Sequence, residues 1–173
     1  IKPCELRQRG DDLLVPVKGA KNKLSSLQKI DADGTKRFLT GGKVTGGYFI
    51  VGDYGLINEV EDAGVIYICE GFATGATINE ATNIVCVCAF NCGNLLPVAK
   101  KVREKFPEIF IVVCADHDLQ TEGNPGLSKA TEAARAVNGF VAKPFLESEA
   151  VEGVSDFNDL KQKSGIEAVQ QAI

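Results

Sequence analysis

The chain has 173 residues, of which 45% are hydrophobic and 24% charged, a composition typical of a folded globular protein rather than a disordered one. No apolar run approaches the ~20 residues that a membrane-spanning helix needs, and the sequence begins at Ile1 without a signal-peptide pattern. We therefore interpret the chain as a piece of a longer, cytoplasmic protein.

The charges are unevenly distributed along the chain, although the net charge is only −4. Residues 1–60 contain ten Lys and Arg against seven Asp and Glu, a balance of +3. Residues 61–173 contain nine against sixteen, a balance of −7. This asymmetry predicts that polyanions bind to the first part of the chain and cations to the second.

Residues 1–60 consist of short apolar stretches separated by turn signals, which predicts a small β-rich basic domain. Strands are predicted at 13–18 and 23–30, and the DADG sequence at 31–34 predicts a hairpin turn. Two Gly pairs, at 41–42 and 46–47, indicate further turns between apolar runs. No segment of this part has a clear helical periodicity.

From about residue 61, continuous apolar runs that suit buried strands alternate with helical segments. The four predicted strands lie within 65–71, 84–90, 109–116 and 140–145. Helices are predicted at 73–83, 94–106, 124–139, 155–165 and in the tail after Gly165, with Asn94 and Ser155 as candidate N-caps. This alternation predicts an α/β domain over residues 61–173, with a parallel four-stranded sheet and helices on both faces.

The six cysteines do not indicate a zinc site or a disulfide framework. They form no C-x-x-C pair, and the chain has a single histidine, His117. Four of them, Cys69, Cys86, Cys88 and Cys114, lie inside the apolar strand-like runs. We therefore predict buried thiols in a reducing compartment.

Three acidic residues follow predicted strands directly: Glu70 ends the first, and Asp116 and Asp118 end the third. In a doubly wound sheet, ligands gather at the carboxyl ends of the strands, so the three carboxylates are predicted to converge if these strands are neighbours. Side chains at i and i+2 of an extended segment point the same way, which lets both aspartates face one cation. Carboxylate oxygens favour a hard divalent ion, above all Mg²⁺. Taken singly, each acid is better explained as a helix cap or a solvated loop residue, and only the three together favour a metal site.

The residues around these acids resemble the Toprim domain of DNA primases carried by phages, prophages and plasmids. The resemblance rests on ICEGFATGATINEAT at 68–82, CADHDLQTEGNPGLSKATEAARA at 114–136 and SDFNDL at 155–160. The family signature, a Glu-Gly pair after the first strand and D-x-D after the third, is present as Glu70-Gly71 and Asp116-His117-Asp118. Residues 13–52 resemble the basic β-rich subdomain that precedes Toprim in these primases.

This resemblance implies template-directed synthesis of short primers from nucleoside triphosphates, with single-stranded DNA as template and Mg²⁺, or alternatively Mn²⁺, as cofactor. It implies that Glu70, Asp116 and Asp118 are catalytic and metal-binding acids. Asp156 and Asp159 match a more variable acidic motif and are implied as further metal ligands. Such primases often carry a zinc module and a helicase, so a helicase domain or protein is an implied partner.

Five further residues are candidate contacts to nucleic acid or nucleotide. Lys36, Arg37 and Lys43 match basic positions of the family, and Asn91 and Asn94 follow the second predicted strand near the same edge of the sheet. The alternatives are a solvated loop for the basic stretch and helix capping for Asn94. For the whole chain, the alternatives are a Toprim-type metal-dependent nuclease and a non-catalytic nucleic-acid-binding module.

Overall fold

The computed structural model describes residues 5–52, 64–117, 121–145 and 153–173. The first of these segments begins with a four-stranded antiparallel sheet in the order β1-β2-β3-β4. Its strands are β1 (Arg7–Arg9), β2 (Asp12–Lys18), β3 (Leu24–Ile30) and β4 (Lys36–Phe38). The DADG turn joins β3 to β4, where the Gly34 N–H donates to the Asp31 carbonyl at 2.9 Å, so the predicted hairpin is confirmed.

A second sheet contains five strands in the order β5-β7-β6-β8-β9. They are β5 (Phe49–Val51), β6 (Val65–Cys69), β7 (Cys86–Cys88), β8 (Phe110–Cys114) and β9 (Phe140–Ala142). Strands β6 to β9 are parallel to one another, and β6 pairs with both β7 and β8. The predicted parallel four-stranded arrangement is therefore confirmed, as is the adjacency of the first and third of its strands.

The fifth strand of this sheet corrects the sequence prediction. β5 pairs antiparallel with β7 at the edge of the sheet, although its residues belong to the predicted N-terminal domain. Phe49 and Val51 are buried in one cluster with Val15 and Val17 of β2, so the two sheets share a hydrophobic core. The predicted domain boundary at residue 60 lies outside the described residues and stays a prediction.

Five helices cover the second sheet: α1 (Phe72–Thr82), α2 (Leu95–Lys105), α3 (Pro125–Ala136), α4 (Phe157–Ser164) and α5 (Ile166–Ala172). One face of the sheet packs against α1, α4 and α5, and the other against α2 and α3. This arrangement confirms helices on both faces. None of these helices, over the described parts of the chain, has the length and apolar character needed to cross a bilayer.

Two predicted helix caps are wrong in detail. Helix α4 is capped by Asp156, whose side chain accepts a hydrogen bond from the Asp159 N–H at 2.8 Å, and not by Ser155. Asn94 precedes α2, but its side chain makes no capping hydrogen bond. The buried amide of Asn94 is instead engaged with a distant turn, as described below.

Candidate active site

Glu70 and Asp116 lie at the same edge of the second sheet. Glu70 directly follows β6, and Asp116 lies two residues after β8, the parallel neighbour of β6. The Glu70 Oε1 and Asp116 Oδ1 atoms are both buried from solvent. Asp118, the third acid of the predicted set, lies outside the described residues. The described pair thus stands where the carboxyl ends of two neighbouring parallel strands meet, the usual place for ligands in such sheets.

Close packing fixes the backbone around both acids. Helix α1 begins at Phe72, immediately after Glu70-Gly71. On the other strand, a Cβ on Gly126 would lie only 2.6 Å from the Asp116 carbonyl oxygen, so only glycine lets the first turn of α3 approach Asp116 this closely. The pKa of the Cys114 thiol is raised well above its ordinary value, mainly by burial and to a lesser extent by the nearby Asp116 carboxylate.

His117 anchors the segment that carries Asp116. Its backbone N–H donates to the Ser155 carbonyl at 2.7 Å, and its ring lies edge-on to Phe145 at 4.5 Å. The Nδ1 atom of His117 is 2.9 Å from the Nδ2 atom of Asn124, the residue that caps α3. These contacts hold the segment of Asp116 and His117 against Ser155, Phe145 and the start of α3.

Asp156 and Asp159 are engaged in hydrogen bonds within the protein. Asp156 caps α4 through one oxygen and accepts from the Thr74 hydroxyl at 2.9 Å through the other. Asp159 accepts from the N–H and hydroxyl of Ser155 at 3.0 and 2.8 Å. Through Thr74 in the first turn of α1, Asp156 joins α4 to the strand end that carries Glu70. These hydrogen bonds position the surrounding segments, and the role of both aspartates as metal ligands stays a prediction.

The three candidate basic residues do not share one surface. Side chains alternate along β4, so Lys36 and Phe38 occupy one face and Arg37 the other. The Lys36 Nζ atom would be 3.7 Å from a Cβ built on Gly71, which places this ammonium beside the strand end of Glu70. Arg37 instead pairs with Asp31 at 3.8 Å. Lys43 has an exposed side chain, and its backbone bonds to Ser25 of β3.

The two candidate asparagines differ in burial. Asn91 is exposed. Asn94 is 3% exposed, and its Oδ1 atom accepts from the Gly46 N–H at 2.6 Å. Its Nδ2 atom donates to the Gly47 and Ala89 carbonyls at 2.8 and 2.7 Å. With these groups engaged, Asn94 links the 44–47 turn to the end of β7, and its contact to a nucleotide stays a prediction.

Two aromatic residues at this edge gave no sequence signal. The rings of Phe38 on β4 and Phe90 after β7 are 5.9 Å apart at 78°, an edge-to-face contact. The Phe90 N–H donates to the Glu70 carbonyl at 2.7 Å. Phe90 also has a φ of +73°, in the left-handed region that non-glycine residues rarely adopt. The contact therefore joins the first sheet to the backbone of the candidate catalytic residue.

The donor chemistry of this edge suits a hard divalent cation. Glu70 and Asp116 offer carboxylate oxygens, the ligand type that Mg²⁺ and Mn²⁺ prefer. Within the described ranges, no three His, Cys, Asp or Glu side chains form a group able to hold a metal. The fit is thus one of ligand type and placement, and the predicted third ligand, Asp118, belongs to the part of the chain that is not described.

Comparison with known proteins gives the class of the chain. Residues 65–167, more than half of it, match the family model of the Toprim domain, and the chain therefore belongs to the Toprim domain family. Within that family it is similar to the DNA primase TraC of Escherichia coli, with 40% identity over 142 residues. The predicted resemblance to primases is thereby confirmed. The alignment covers 80% of this chain but only 13% of that relative.

Two solved primase structures share the fold. The primase fragment of the bacteriophage T7 primase-helicase protein superposes with a TM-score of 0.61 at 15% identity, covering 93% of this chain and 62% of that one. The DnaG primase catalytic domain bound to ssDNA gives a TM-score of 0.58 at 14% identity, covering 94% and 53% respectively. Both matches include the antiparallel sheet as well as the Toprim part, because each covers more than nine tenths of this chain.

Proposed function

We propose that this chain is the catalytic-core segment of a DNA primase, which joins nucleoside triphosphates on a single-stranded DNA template. The observation that carries the proposal is the placement of Glu70 and Asp116 at adjacent strand ends, with Lys36 of the first sheet beside them. An acidic pair flanked by a lysine suits a reaction in which cations and phosphates must meet. The similarity to TraC supports the same activity.

In this proposal Glu70, Asp116 and Asp118 hold Mg²⁺, with Mn²⁺ as a substitute. A bound divalent ion would lower the cost of charge on the attacking and leaving oxygens of phosphoryl transfer. Glu70 would also accept the proton of the primer 3′-hydroxyl if that group comes within hydrogen-bond reach. Asp156 would keep Glu70 in place through Thr74, and His117 would keep Asp116 in place.

Lys36 is the basic residue that we propose to contact phosphates of the triphosphate or template. An ammonium acts as a compact point charge, which suits phosphate oxygens without demanding one geometry. Lys43 would add to the positive field, since its side chain is exposed. Arg37 is a weaker candidate for this role because it lies on the opposite face of β4. A helicase is the proposed partner, as in the T7 protein, whose primase is part of a primase-helicase.

The decisive experiment incubates the protein with single-stranded DNA, ribonucleoside or deoxyribonucleoside triphosphates and Mg²⁺. We expect short primers, and we expect Glu70→Gln and Asp116→Asn to lower the rate by on the order of 100-fold or more. Glu108→Gln is the matched control, because Glu108 is an exposed carboxylate just before β8, at the opposite edge of the sheet. Cleavage of the DNA in place of synthesis would identify a nuclease, and binding without reaction a non-catalytic module.

Metal binding is tested separately by calorimetry with Mg²⁺ and Mn²⁺. We expect Asp116→Asn to weaken binding markedly, and binding by the parent to weaken on acidification, because carboxylate ligands must be ionised. Asp156→Asn should change metal affinity much less, since Asp156 is already engaged with Thr74 and α4. Unchanged affinity in Asp116→Asn would remove this residue from the proposed site.

A further inference from the structure

We propose that Phe38 is a stacking platform for a nucleobase, placed so that the base lies on its ring while Lys36 contacts a phosphate of the same ligand. This role rests on the proposed function, since it assumes that nucleic acid or nucleotide occupies this edge. The chemistry recognised is the flat face of a base, whether of the template strand or of an incoming triphosphate. Base stacking on aromatic rings tolerates any sequence, because every base has a π-face.

The first support is the shared face of Lys36 and Phe38. Gln28, Lys29 and Ile30 of β3 pair with Phe38, Arg37 and Lys36 in turn, so Lys36 and Phe38 project to the same side of β4. Residues i and i+2 of a strand are about 7 Å apart. That spacing allows one side chain to meet a base while the other meets a phosphate.

The second support is the way Phe90 holds Phe38. Phe90 is 8% exposed and contacts Phe38 edge to face, whereas Phe38 remains 38% exposed. Phe38 thus contacts a buried aromatic residue while more than a third of its own surface stays accessible to a ligand. The left-handed φ of Phe90 and its hydrogen bond to the Glu70 carbonyl tie this support to the candidate catalytic residue. Unusual backbone conformations of this kind concentrate at functional sites.

Other exposed aromatic residues lack this setting. Phe110 and Phe140 are more exposed, at 63% and 58%, and their rings lie 6.1 Å apart. They begin β8 and β9, so they lie at the amino edge of the sheet, opposite Glu70 and Asp116. Phe110 is therefore the matched control for Phe38: an exposed phenylalanine on the same protein, remote from the proposed site.

The chain contains no tryptophan, so Phe38→Trp introduces a single indole. We expect its fluorescence to be quenched on titration with oligo(dT) or with ATP and Mg²⁺, whereas Phe110→Trp should respond to neither. Quenching by oligo(dT) alone would assign the platform to the template, and quenching by ATP alone would assign it to the triphosphate. Absence of quenching by both probes would overturn the proposal.

Affinity measurements give an independent test. Phe38→Leu should weaken binding of the quenching probe by about 5- to 150-fold, and Phe38→Tyr should restore it, as stacking requires an aromatic ring. For oligo(dT), Phe38→Leu should leave the salt dependence of binding unchanged, whereas Lys36→Ala should make it shallower. Parent-like affinity of a folded Phe38→Leu, checked by circular dichroism, would overturn the stacking role.

The two proposals fail in distinguishable ways. If the protein makes no primers but the indole of Phe38→Trp is still quenched, the platform stands and primase activity does not. If the parent makes primers and the Phe38→Leu variant has an unchanged KM for nucleotide and for template, primase activity stands and the platform does not.

Discussion

At the scale of single residues, Glu70 and Asp116 follow the neighbouring strands β6 and β8, and Lys36 of β4 lies beside the strand end of Glu70. Glu70 and Asp116 each follow a continuous apolar run, and a charged residue ending a buried strand is visible without a structure. The opposite faces of Lys36 and Arg37 follow from strand alternation. Which of those faces meets the second sheet depends on how two sheets pack, and no local pattern encodes that.

The role of Asn94 illustrates the same limit. Its hydrogen-bond partners at Gly46 and Gly47 lie 48 and 47 positions earlier in the chain. Asparagine before a helix is an ordinary capping signal, and nothing in the local sequence indicates a buried amide that joins two distant segments. The left-handed φ of Phe90 could not be predicted from the sequence either, since phenylalanine has no preference for that conformation.

We expect Asn94→Ala to lower the free energy of unfolding by about 2–3 kcal/mol, because it leaves buried backbone groups of the 44–47 turn and of Ala89 without their partner. Asn91→Ala, three residues away and exposed, should change stability by less than about 0.5 kcal/mol. Urea denaturation of both variants measures the difference. An Asn94→Ala protein of parental stability with weakened nucleotide binding would contradict this structural role and support the predicted nucleotide contact of Asn94.

At the scale of secondary-structure elements, the alternation of strands and helices was predictable, because each parallel strand lies within a longer continuous apolar run and the segments between these runs have helical character. Strand β5 was not predicted as a member of the second sheet, because its apolar residues do not show which sheet the strand pairs with. Helix α1 was predicted, but its packing was not. Gly75 lies in the interior of this helix, where glycine costs about 1 kcal/mol of helix stability relative to alanine. A glycine at such a position indicates that another part of the protein packs closely against the helix there.

The structure explains Gly75 through the cysteines beneath it. Cys69, Cys86 and Cys88 are fully buried under α1, with the Cys69 Sγ atom 3.5 Å from that of Cys86 and 3.7 Å from that of Cys88. A Cβ on Gly75 would overlap the Cys88 sulfur and lie 3.1 Å from that of Cys69. Because all three thiols sit on a rigid sheet, they cannot move aside readily.

We expect Gly75→Ala to destabilise the protein by about 1–3 kcal/mol, since overpacking outweighs the better helix propensity of alanine. The cost should shrink in a Cys88→Ala background, where the overlapping sulfur is absent. A double-mutant cycle by thermal or urea unfolding measures this coupling. Equal costs of Gly75→Ala in both backgrounds would show that the Cys88 sulfur does not set the spacing between α1 and β7.

At the scale of the whole molecule, the two sheets are joined by backbone hydrogen bonds and by a shared hydrophobic core. The Lys18 and Tyr48 backbones exchange hydrogen bonds of 2.8 and 3.0 Å, which connect β2 to the segment leading into β5. Val15 and Val17 of β2 are fully buried in the cluster that also contains Phe157 of α4. The charge balance along the sequence, on which the predicted two units partly rest, reports surface charge and carries no information about this shared core.

We therefore expect the chain to unfold in a single cooperative transition, with circular dichroism and tyrosine fluorescence giving coincident curves.

Val17→Ala, a change in the first sheet alone, should destabilise the entire chain by about 2 kcal/mol, the order expected for removing buried methyl groups. Amides of β6 and β8 that exchange only by global unfolding should then exchange about 30-fold faster, since each 1.4 kcal/mol is about tenfold in the opening equilibrium. Hydrogen exchange measured peptide by peptide tests this. Leu24→Ala is the control, because Leu24 belongs to the same sheet but is 62% exposed, so its change should leave those rates nearly unaltered. If Val17→Ala accelerated exchange in β2 and β3 while β6 and β8 kept their parental rates, the two sheets would be independent folding units despite their common core.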